Sequence, residues 1–236
     1  MSKRSDMNDP GPGRKKEPVR IKFCGLSRIE DMEAASRLLP ELIGFVFAKK
    51  SPRYVTGEEA GRLRKSLAPG ILPAGVFVDE DPEHILKLIR EGTIRAIQLH
   101  GSEGNEYIRF LKSKTVFPVI RAFRIRTLKD VEAANESEAD LVLLDAGTPG
   151  SGRAFDHSLL IHIRRPFILA GGLDPENIAG ILEAMEPSVR GLLYAVDVSS
   201  GIEQEGCRGK KDIKKMERFA AAVRAAERKD KEEQPG

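Results

Sequence analysis

The hydrophobic positions of the chain fall into short β-branched runs, each followed by a glycine or polar junction and then by an amphipathic stretch of about ten residues. Such a run has the length and composition of a buried strand, and the stretch after it has the period of a surface helix. Eight runs are predicted to be strands: Val19–Phe23, Leu42–Phe47, Leu72–Val78, Ala96–His100, Pro118–Phe123, Asp140–Asp145, Phe167–Ala170 and Leu192–Val198.

A helix is predicted after each strand, and the sixth helix is expected to be short. The helices should begin near Ile29, Gly57, Pro82, Glu103, Leu128, Asp156, Pro175 and Lys211. Alternating βα units build a parallel sheet. Eight units favour an α/β fold of the closed (β/α)₈ TIM barrel type over an open doubly wound sheet, which usually has fewer units and one clear switch point.

The barrel is predicted to be a single domain over residues 19–226, because no linker or change of composition divides it. Residues 1–18 are basic and lack an apolar core, so they are predicted to form a disordered N-terminal arm. Residues 227–236 are predicted to be a charged flexible tail.

Composition narrows the class of protein. The chain has 236 residues, of which 40% are hydrophobic and 32% charged, enough for one large core. Two distant cysteines without a CxxC motif and only four histidines favour neither a disulfide framework nor a zinc site, and reduced thiols fit a cytoplasmic protein. No segment has the roughly 18 apolar residues of a membrane helix, so no membrane partner is expected.

The net charge of +3 raises the question of a nucleic-acid partner. Much of the excess lies in the two tails and in one lysine-rich segment, where solvated helix faces explain it. No basic run alternates with the aromatic residues that a stacking groove would need. Nucleic acid is therefore not predicted as a partner, whereas an anionic small molecule remains possible.

In a (β/α)₈ barrel the active site lies where the strands end and the helices begin, so polar residues at these junctions are the functional candidates. Four junctions carry such a side chain: Cys24, Arg53, His100 and Asp145. Each also has a purely structural interpretation. A lone cysteine is often a small buried hydrophobe, an aspartate before a glycine-rich turn often caps that turn, and a histidine can satisfy a local backbone group.

The alternation of side chains along the first strand sharpens the assignment. It places Lys22 and Cys24 on one face and Ile21 and Phe23 on the other, and the apolar pair should face the helices. A buried lysine needs a partner, and Asp197 on the eighth strand is a natural one because these strands are neighbours in a closed barrel. This pair could be structural only.

Glycine and serine cluster after the seventh and eighth strands. Barrels that bind phosphorylated substrates place the phosphate there, on backbone N–H groups and near the start of a short extra helix. Glycines allow close approach of the backbone, and serine hydroxyls add donors. The predicted phosphate-binding residues are Gly171, Gly172, Ser199, Ser200 and Gly201.

Seven motifs follow one another in the order and at the spacing of a known family: "KFCGLSRIEDMEAA", "GFVFAKKSPRYV", "AGVFVDEDPEHI", "IQLHGSE", "LLDAGTPGSGRAFDHSLL", "ILAGGLDPENI" and "AVDVSSGIE" with "GKKD" after it. Through them the chain resembles the phosphoribosylanthranilate isomerases. The resemblance implies a monomeric or homodimeric enzyme of tryptophan biosynthesis with a small-molecule phosphoribosyl substrate and no metal or organic cofactor. It would convert N-(5-phosphoribosyl)anthranilate into 1-(2-carboxyphenylamino)-1-deoxyribulose 5-phosphate by an Amadori rearrangement.

The same resemblance implies a role for each junction residue. Cys24 would be the general base and Asp145 the general acid, whereas Arg53 would bind the anthranilate carboxylate and His100 would line the substrate pocket. Two alternatives stay open: the related histidine-pathway isomerase of a phosphoribosyl formimino carboxamide, and a phosphate-binding barrel without catalysis. The first typically uses two aspartates, and the second would require the loss of the cysteine or the aspartate.

Overall fold

All eight predicted strands are present and close into one parallel barrel in chain order. The computed structural model describes residues 18–145 and 157–233. The first strand pairs with both the second and the eighth, which closes the barrel. The strands are β1 (Arg20–Cys24), β2 (Leu42–Val46), β3 (Leu72–Phe77), β4 (Ala96–Leu99), β5 (Val119–Arg124), β6 (Leu141–Asp145), β7 (Phe167–Ala170) and β8 (Leu193–Val198).

Helices cover the outside of the barrel, and their starts follow ordinary capping chemistry. Thr56 accepts a hydrogen bond from the Glu59 N–H, and Asp81 caps a helix that has proline in its first turn. The helices are α1 (Ile29–Leu38), α2 (Gly57–Arg64), α3 (Pro82–Arg90), α4 (Asn105–Lys114), α5 (Leu128–Asn135), α6 (Ile178–Glu183), α7 (Pro187–Arg190) and α8 (Ile213–Glu233).

Two helices begin later than predicted because an acidic side chain near each predicted start accepts hydrogen bonds from N–H groups of loops. Glu103, predicted near a helix start, instead accepts hydrogen bonds from the N–H groups of Asp79 and Gly101, and α4 begins after it. Asp174 accepts from the N–H of Asn177, so α6 begins beyond the predicted Pro175.

The sixth connection and the end of the chain complete the comparison with the prediction. The short sixth helix is a 3₁₀ helix, His157–His162, and the predicted start at Asp156 lies outside the described residues, as does the arm up to residue 17. At the other end, α8 continues to Glu233, so residues 227–233 of the predicted tail are helical. No helix among the described residues is long and apolar enough to cross a membrane.

A small antiparallel hairpin after the barrel was not predicted. It consists of β9 (Glu203–Gln204) and β10 (Cys207–Lys211). Lys211, predicted at the start of the last helix, therefore lies in a strand, and α8 begins at Ile213. The turn contains Gly206 at a φ of 70°, a left-handed conformation that favours glycine.

The apolar side chains divide between two faces as the alternation predicts. Ile21 and Phe23 point outward into the core between barrel and helices, where the Phe23 ring lies 6.4 Å from that of Phe219 on α8. The barrel interior has its own smaller core of Ile120, Ala122, Leu141, Leu143, Ile168, Ala170 and Ala195. Asp197, near the end of β8, lines a cavity at the carboxyl end of the barrel, and Lys22 of β1 is buried beside it.

Candidate active site

A cavity of about 680 Å³ opens at the carboxyl end of the barrel. Every residue that the sequence predicted for catalysis or binding lines it: Cys24, Arg53, His100, Asp145, Gly171, Gly172, Ser199, Ser200 and Gly201. These residues come from six different junctions along the chain, and only the closed barrel brings them together. The cavity is large enough for a small phosphorylated ligand.

Cys24 lies beside a buried ion pair. Lys22 and Asp197 are register partners on β1 and β8, and the Lys22 Nζ donates to an Asp197 carboxylate oxygen at 3.0 Å. The predicted pair therefore exists. Gly44 on β2 leaves the room for it, because a Cβ at that position would lie 2.8 Å from the Cys24 Sγ and 3.2 Å from the Lys22 Nζ.

The charges around the thiol oppose one another. Burial raises the pKa of the Cys24 thiol above its ordinary value, and the Lys22 cation offsets part of that rise. Asp197 raises the same pKa further, whereas Lys211 lowers it. Burial therefore favours the protonated thiol in the free protein. The cations Lys22 and Lys211 act in the opposite direction and favour the thiolate.

Asp145 and His100 stand together on the other side of the cavity. The His100 Nε2 lies 3.9 Å from an Asp145 carboxylate oxygen. Burial lowers the pKa of His100 although the Asp145 charge opposes this, so the imidazole is neutral near pH 7. The neutral imidazole and the Asp145 carboxyl therefore face the same part of the cavity.

Arg53 lines the cavity, but most of its guanidinium is already engaged. Its Nε donates to one oxygen of Glu203 at 2.6 Å, and its Nη2 donates to the other at 3.0 Å. Its side chain passes over Gly25, where a Cβ would lie 2.4 Å from the Arg53 Cδ. Gly25 has a φ of 75°, so both the conformation and the space there require glycine. No hydrogen bond among the described residues uses Nη1.

Lys211 joins this cluster from the hairpin. Its side chain is fully buried, and its Nζ donates to Glu203 at 3.1 Å and to the Ser199 carbonyl at 2.9 Å. Burial would raise the pKa of the Glu203 carboxyl, but the hydrogen bond from Arg53 and the two cations hold it below its ordinary value. We call Arg53, Glu203 and Lys211 the hairpin cluster.

The predicted phosphate loops approach each other closely. A Cβ on Gly201 would lie 2.0 Å from the Leu173 carbonyl oxygen, so glycine is needed where the loop after β8 passes the loop after β7. Gly172 adopts a φ of 66°, and its N–H has no acceptor among the described residues. The Ser199 hydroxyl donates to the Cys24 carbonyl at 3.1 Å, which ties this loop to β1.

The rest of the cavity wall is mostly apolar. Four small aliphatic side chains at the ends of β2 and β3 form one side of it: Val46, Ala48, Val76 and Val78. Gln98 on β4 contributes a polar group that is almost fully buried, and its amide oxygen has no hydrogen-bond partner among the described residues. Within the same residues, no group of three or more His, Cys, Asp or Glu could hold a metal ion.

Sequence analysis missed Glu203 and Lys211 as site residues. Lys211 belongs to the lysine-rich segment, whose charges resemble a solvated helix face, whereas Glu203 ends the motif "AVDVSSGIE", in which only the serines and the glycine were assigned a role. A partly buried arginine needs a carboxylate as its partner, so Arg53 indicated that an acidic residue lies close to it. Gln98 shares the inward face with His100 by parity, but no sequence pattern indicates that its amide oxygen has no partner among the described residues.

Comparisons with known proteins agree with this architecture. A family model described as N-(5′-phosphoribosyl)anthranilate (PRA) isomerase matches residues 21–222. An N-(5′-phosphoribosyl)anthranilate isomerase of Caldanaerobacter subterraneus subsp. tengcongensis is 39% identical over 212 residues, covering 87% of this chain and 98% of that protein. The isomerase of Thermotoga maritima is 38% identical over 207 residues, covering 85% of this chain and 96% of the relative.

Solved structures give the same result. The phosphoribosyl anthranilate isomerase from Thermotoga maritima superposes with a TM-score of 0.77 at 37% identity, over 88% of this chain and 99% of that one. A second solved isomerase, in complex with reduced 1-(o-carboxyphenylamino)-1-deoxyribulose 5-phosphate, superposes with a TM-score of 0.74 at 34% identity, over 88% and 99% of the two chains.

Proposed function

This chain belongs to the N-(5′-phosphoribosyl)anthranilate isomerase family of tryptophan biosynthesis, and we propose that it carries out the Amadori rearrangement with Cys24 as general base and Asp145 as general acid. The observation that carries the proposal is the convergence of all nine predicted site residues on one cavity. The substrate would be N-(5-phosphoribosyl)anthranilate and the product 1-(2-carboxyphenylamino)-1-deoxyribulose 5-phosphate.

The first step is opening of the ribose ring. Asp145 donates a proton to the ring oxygen while the bond between C1 and that oxygen breaks, and the anthranilate nitrogen forms an iminium with C1. Asp145 stands at the end of β6, where it lines the cavity 3.9 Å from the His100 Nε2. His100 is assigned to the wall of the substrate pocket.

The second step is removal of the C2 proton. The iminium makes this proton acidic, and the Cys24 thiolate accepts it. Burial raises the pKa of the thiol, so the base is generated when the thiol releases its proton to solvent as the substrate binds. The iminium cation and Lys22 both favour the thiolate, and the resulting enolamine becomes the ketose when C1 gains a proton and the C2 hydroxyl loses one.

Substrate binding divides among three parts of the cavity. The phosphate is assigned to Gly171, Gly172, Ser199, Ser200 and Gly201, whose glycines let the backbone approach it. The anthranilate ring fits the aliphatic wall at β2 and β3, with its carboxylate on Arg53. The amide oxygen of Gln98, which accepts no hydrogen bond from the part of the chain that the structure describes, suits a sugar hydroxyl.

The alternatives from the sequence are less well supported. A histidine-pathway isomerase would favour a second carboxylate where this chain has Cys24, and the relatives identified are phosphoribosylanthranilate isomerases. A phosphate-binding barrel without catalysis would not need a cysteine and an aspartate on one cavity.

The oligomeric state and the cellular location are also proposals. We propose a monomer or a homodimer, since a solved relative from Thermotoga maritima is described as a dimer from which monomers were generated. A cytoplasmic location is proposed because both cysteines are free thiols.

The roles of Cys24 and Asp145 are tested with a substrate analogue that lacks the C4 hydroxyl. This analogue cannot close the ribose ring, so it needs the base at C2 but no acid on the ring oxygen. Cys24→Ser should lose turnover of both the substrate and the analogue, whereas Asp145→Asn should lose only the substrate. Because general acid or base catalysis typically contributes a factor of about 10²–10⁴, each loss should lower kcat by about that factor. The opposite pattern would exchange the two roles.

A further inference from the structure

Glu203 is a carboxylate that the proposed mechanism does not use. It is the first residue of the hairpin, and its side chain is buried. Among the described residues it makes no hydrogen bond to Cys24 or Asp145. It accepts hydrogen bonds from Arg53 and Lys211, two cations from different parts of the chain. Its position raises the question of what it contributes beyond holding the hairpin.

The contacts of Glu203 fix the plane of the Arg53 guanidinium. Both carboxylate oxygens are used, one by Nε and one by Nη2, and this bidentate arrangement defines an orientation that a single contact would not. The Arg53 side chain is also held from below by its contact with Gly25. The remaining nitrogen, Nη1, is the one that hydrogen bonds within the described residues leave unused.

The hairpin cluster is also unbalanced in charge. Arg53 and Lys211 contribute two positive charges, and Glu203 contributes one negative charge. Lys211 is fully buried and already bonded to the Ser199 carbonyl, so the exposed part of the excess is on Arg53, whose side chain is 21% exposed. The net positive charge of the cluster therefore favours binding of one more anionic group, and Arg53 is the residue of the cluster that can contact it.

We propose that Glu203 is a positioning residue for substrate recognition: it holds Arg53 so that the free edge of the guanidinium meets the carboxylate on the aromatic ring of the substrate. The inference rests on the proposed role of Arg53 and adds the element that sets its orientation. Without Glu203 the arginine keeps its charge but loses its fixed plane, and a flexible arginine pays more conformational entropy to make the same contact.

The test measures how strongly the protein discriminates between two stable inhibitors. One is the reduced product analogue that carries the ring carboxylate, and the other is the same compound without that carboxylate. The ratio of their inhibition constants reports the carboxylate contact alone. In the unmodified protein this ratio should be about 10- to 100-fold, the range of a charged bidentate hydrogen bond.

Glu203→Gln should reduce this ratio at least fivefold while leaving the inhibition constant of the compound without the carboxylate within about threefold of its original value. Glu203→Asp, which keeps the negative charge but is shorter, should give an intermediate ratio, and it carries the test if Glu203→Gln does not fold. Glu205→Gln removes an exposed carboxylate from the same hairpin and serves as the matched control, with the ratio unchanged.

Two results would overturn the proposal. An unchanged ratio in Glu203→Gln would mean that Arg53 needs no positioning, and an equal loss of affinity for both inhibitors would make Glu203 a structural residue of the hairpin. Failure of the underlying role of Arg53 gives a different result, because Arg53→Ala would then keep the full ratio. The two failures are therefore distinguishable in one set of measurements.

Discussion

Two ion-pair clusters flank the candidate catalytic cysteine, and they are built differently. Lys22 and Asp197 form a one-to-one pair on neighbouring strands, and both side chains are almost completely buried. The hairpin cluster has two cations for one carboxylate, and Arg53 remains partly exposed at the cavity. The first cluster has no net charge, because Asp197 balances Lys22, although Lys22 still lowers the pKa of the neighbouring thiol. The second cluster has a net positive charge, which favours the binding of an anionic substrate.

The largest expected effect distinguishes the buried pair from ordinary surface pairs. Lys22→Met leaves Asp197 buried without its partner, so the free energy of unfolding should fall by about 3–5 kcal/mol. Urea unfolding measures this. Arg62→Ala is the matched control, because the Arg62–Glu58 pair is mostly exposed and its loss should change stability by about 0.5 kcal/mol or less. Equal losses in the two variants would show that the buried pair contributes no more than a surface pair.

A second experiment asks which cluster controls the thiol. In a Cys207→Ser background, the rate of alkylation of Cys24 should rise with pH only above the range of an ordinary thiol, because burial raises the pKa of Cys24. The facing charged groups are Lys22, Asp197 and Lys211. Lys211→Met removes a cation that lowers this pKa, so the midpoint should move to still higher pH. A midpoint that stays the same would mean that the Lys211 charge does not act on the thiol, and a shift to lower pH would contradict the expected direction.

The smallest expected effect comes from a buried polar group that belongs to neither cluster. Gln98→Leu removes an amide whose oxygen has no partner among the described residues, so stability should stay the same or increase. Inhibition by the reduced product analogue should nevertheless weaken by about three- to tenfold, the value of one neutral hydrogen bond. Unchanged inhibition would mean that the amide does not contact the sugar.

The sequence predicted one cluster and missed the other for a physical reason. Strand alternation and barrel closure together place Lys22 opposite Asp197, and both rules can be applied without coordinates. Glu203 meets Arg53 across 150 positions of the chain, through a hairpin whose segment shows no period-two pattern. No local rule connects a loop after the second strand to a hairpin after the eighth.

The same contrast applies to the fold as a whole. The strands and the helix starts at Ile29, Gly57, Pro82 and Leu128 were predicted correctly because periodicity and caps are local signals. The start of the fourth helix was misplaced because Glu103 caps two loop N–H groups, and one of them belongs to Asp79 on a different loop. Side chains that serve a distant segment are invisible to pattern analysis of their own segment.

Closure of the barrel between its first and last strands also has a consequence for synthesis on the ribosome. Asp197 is translated 175 residues after Lys22, and Glu203 is translated 150 residues after Arg53, so neither ion pair can form before then. At about 5–20 residues per second, the first delay is roughly 9–35 s. During that time the nascent chain carries a lysine and an arginine whose partner carboxylates have not yet been synthesised. Translation that stops before β8 would therefore yield a chain in which neither cluster can form.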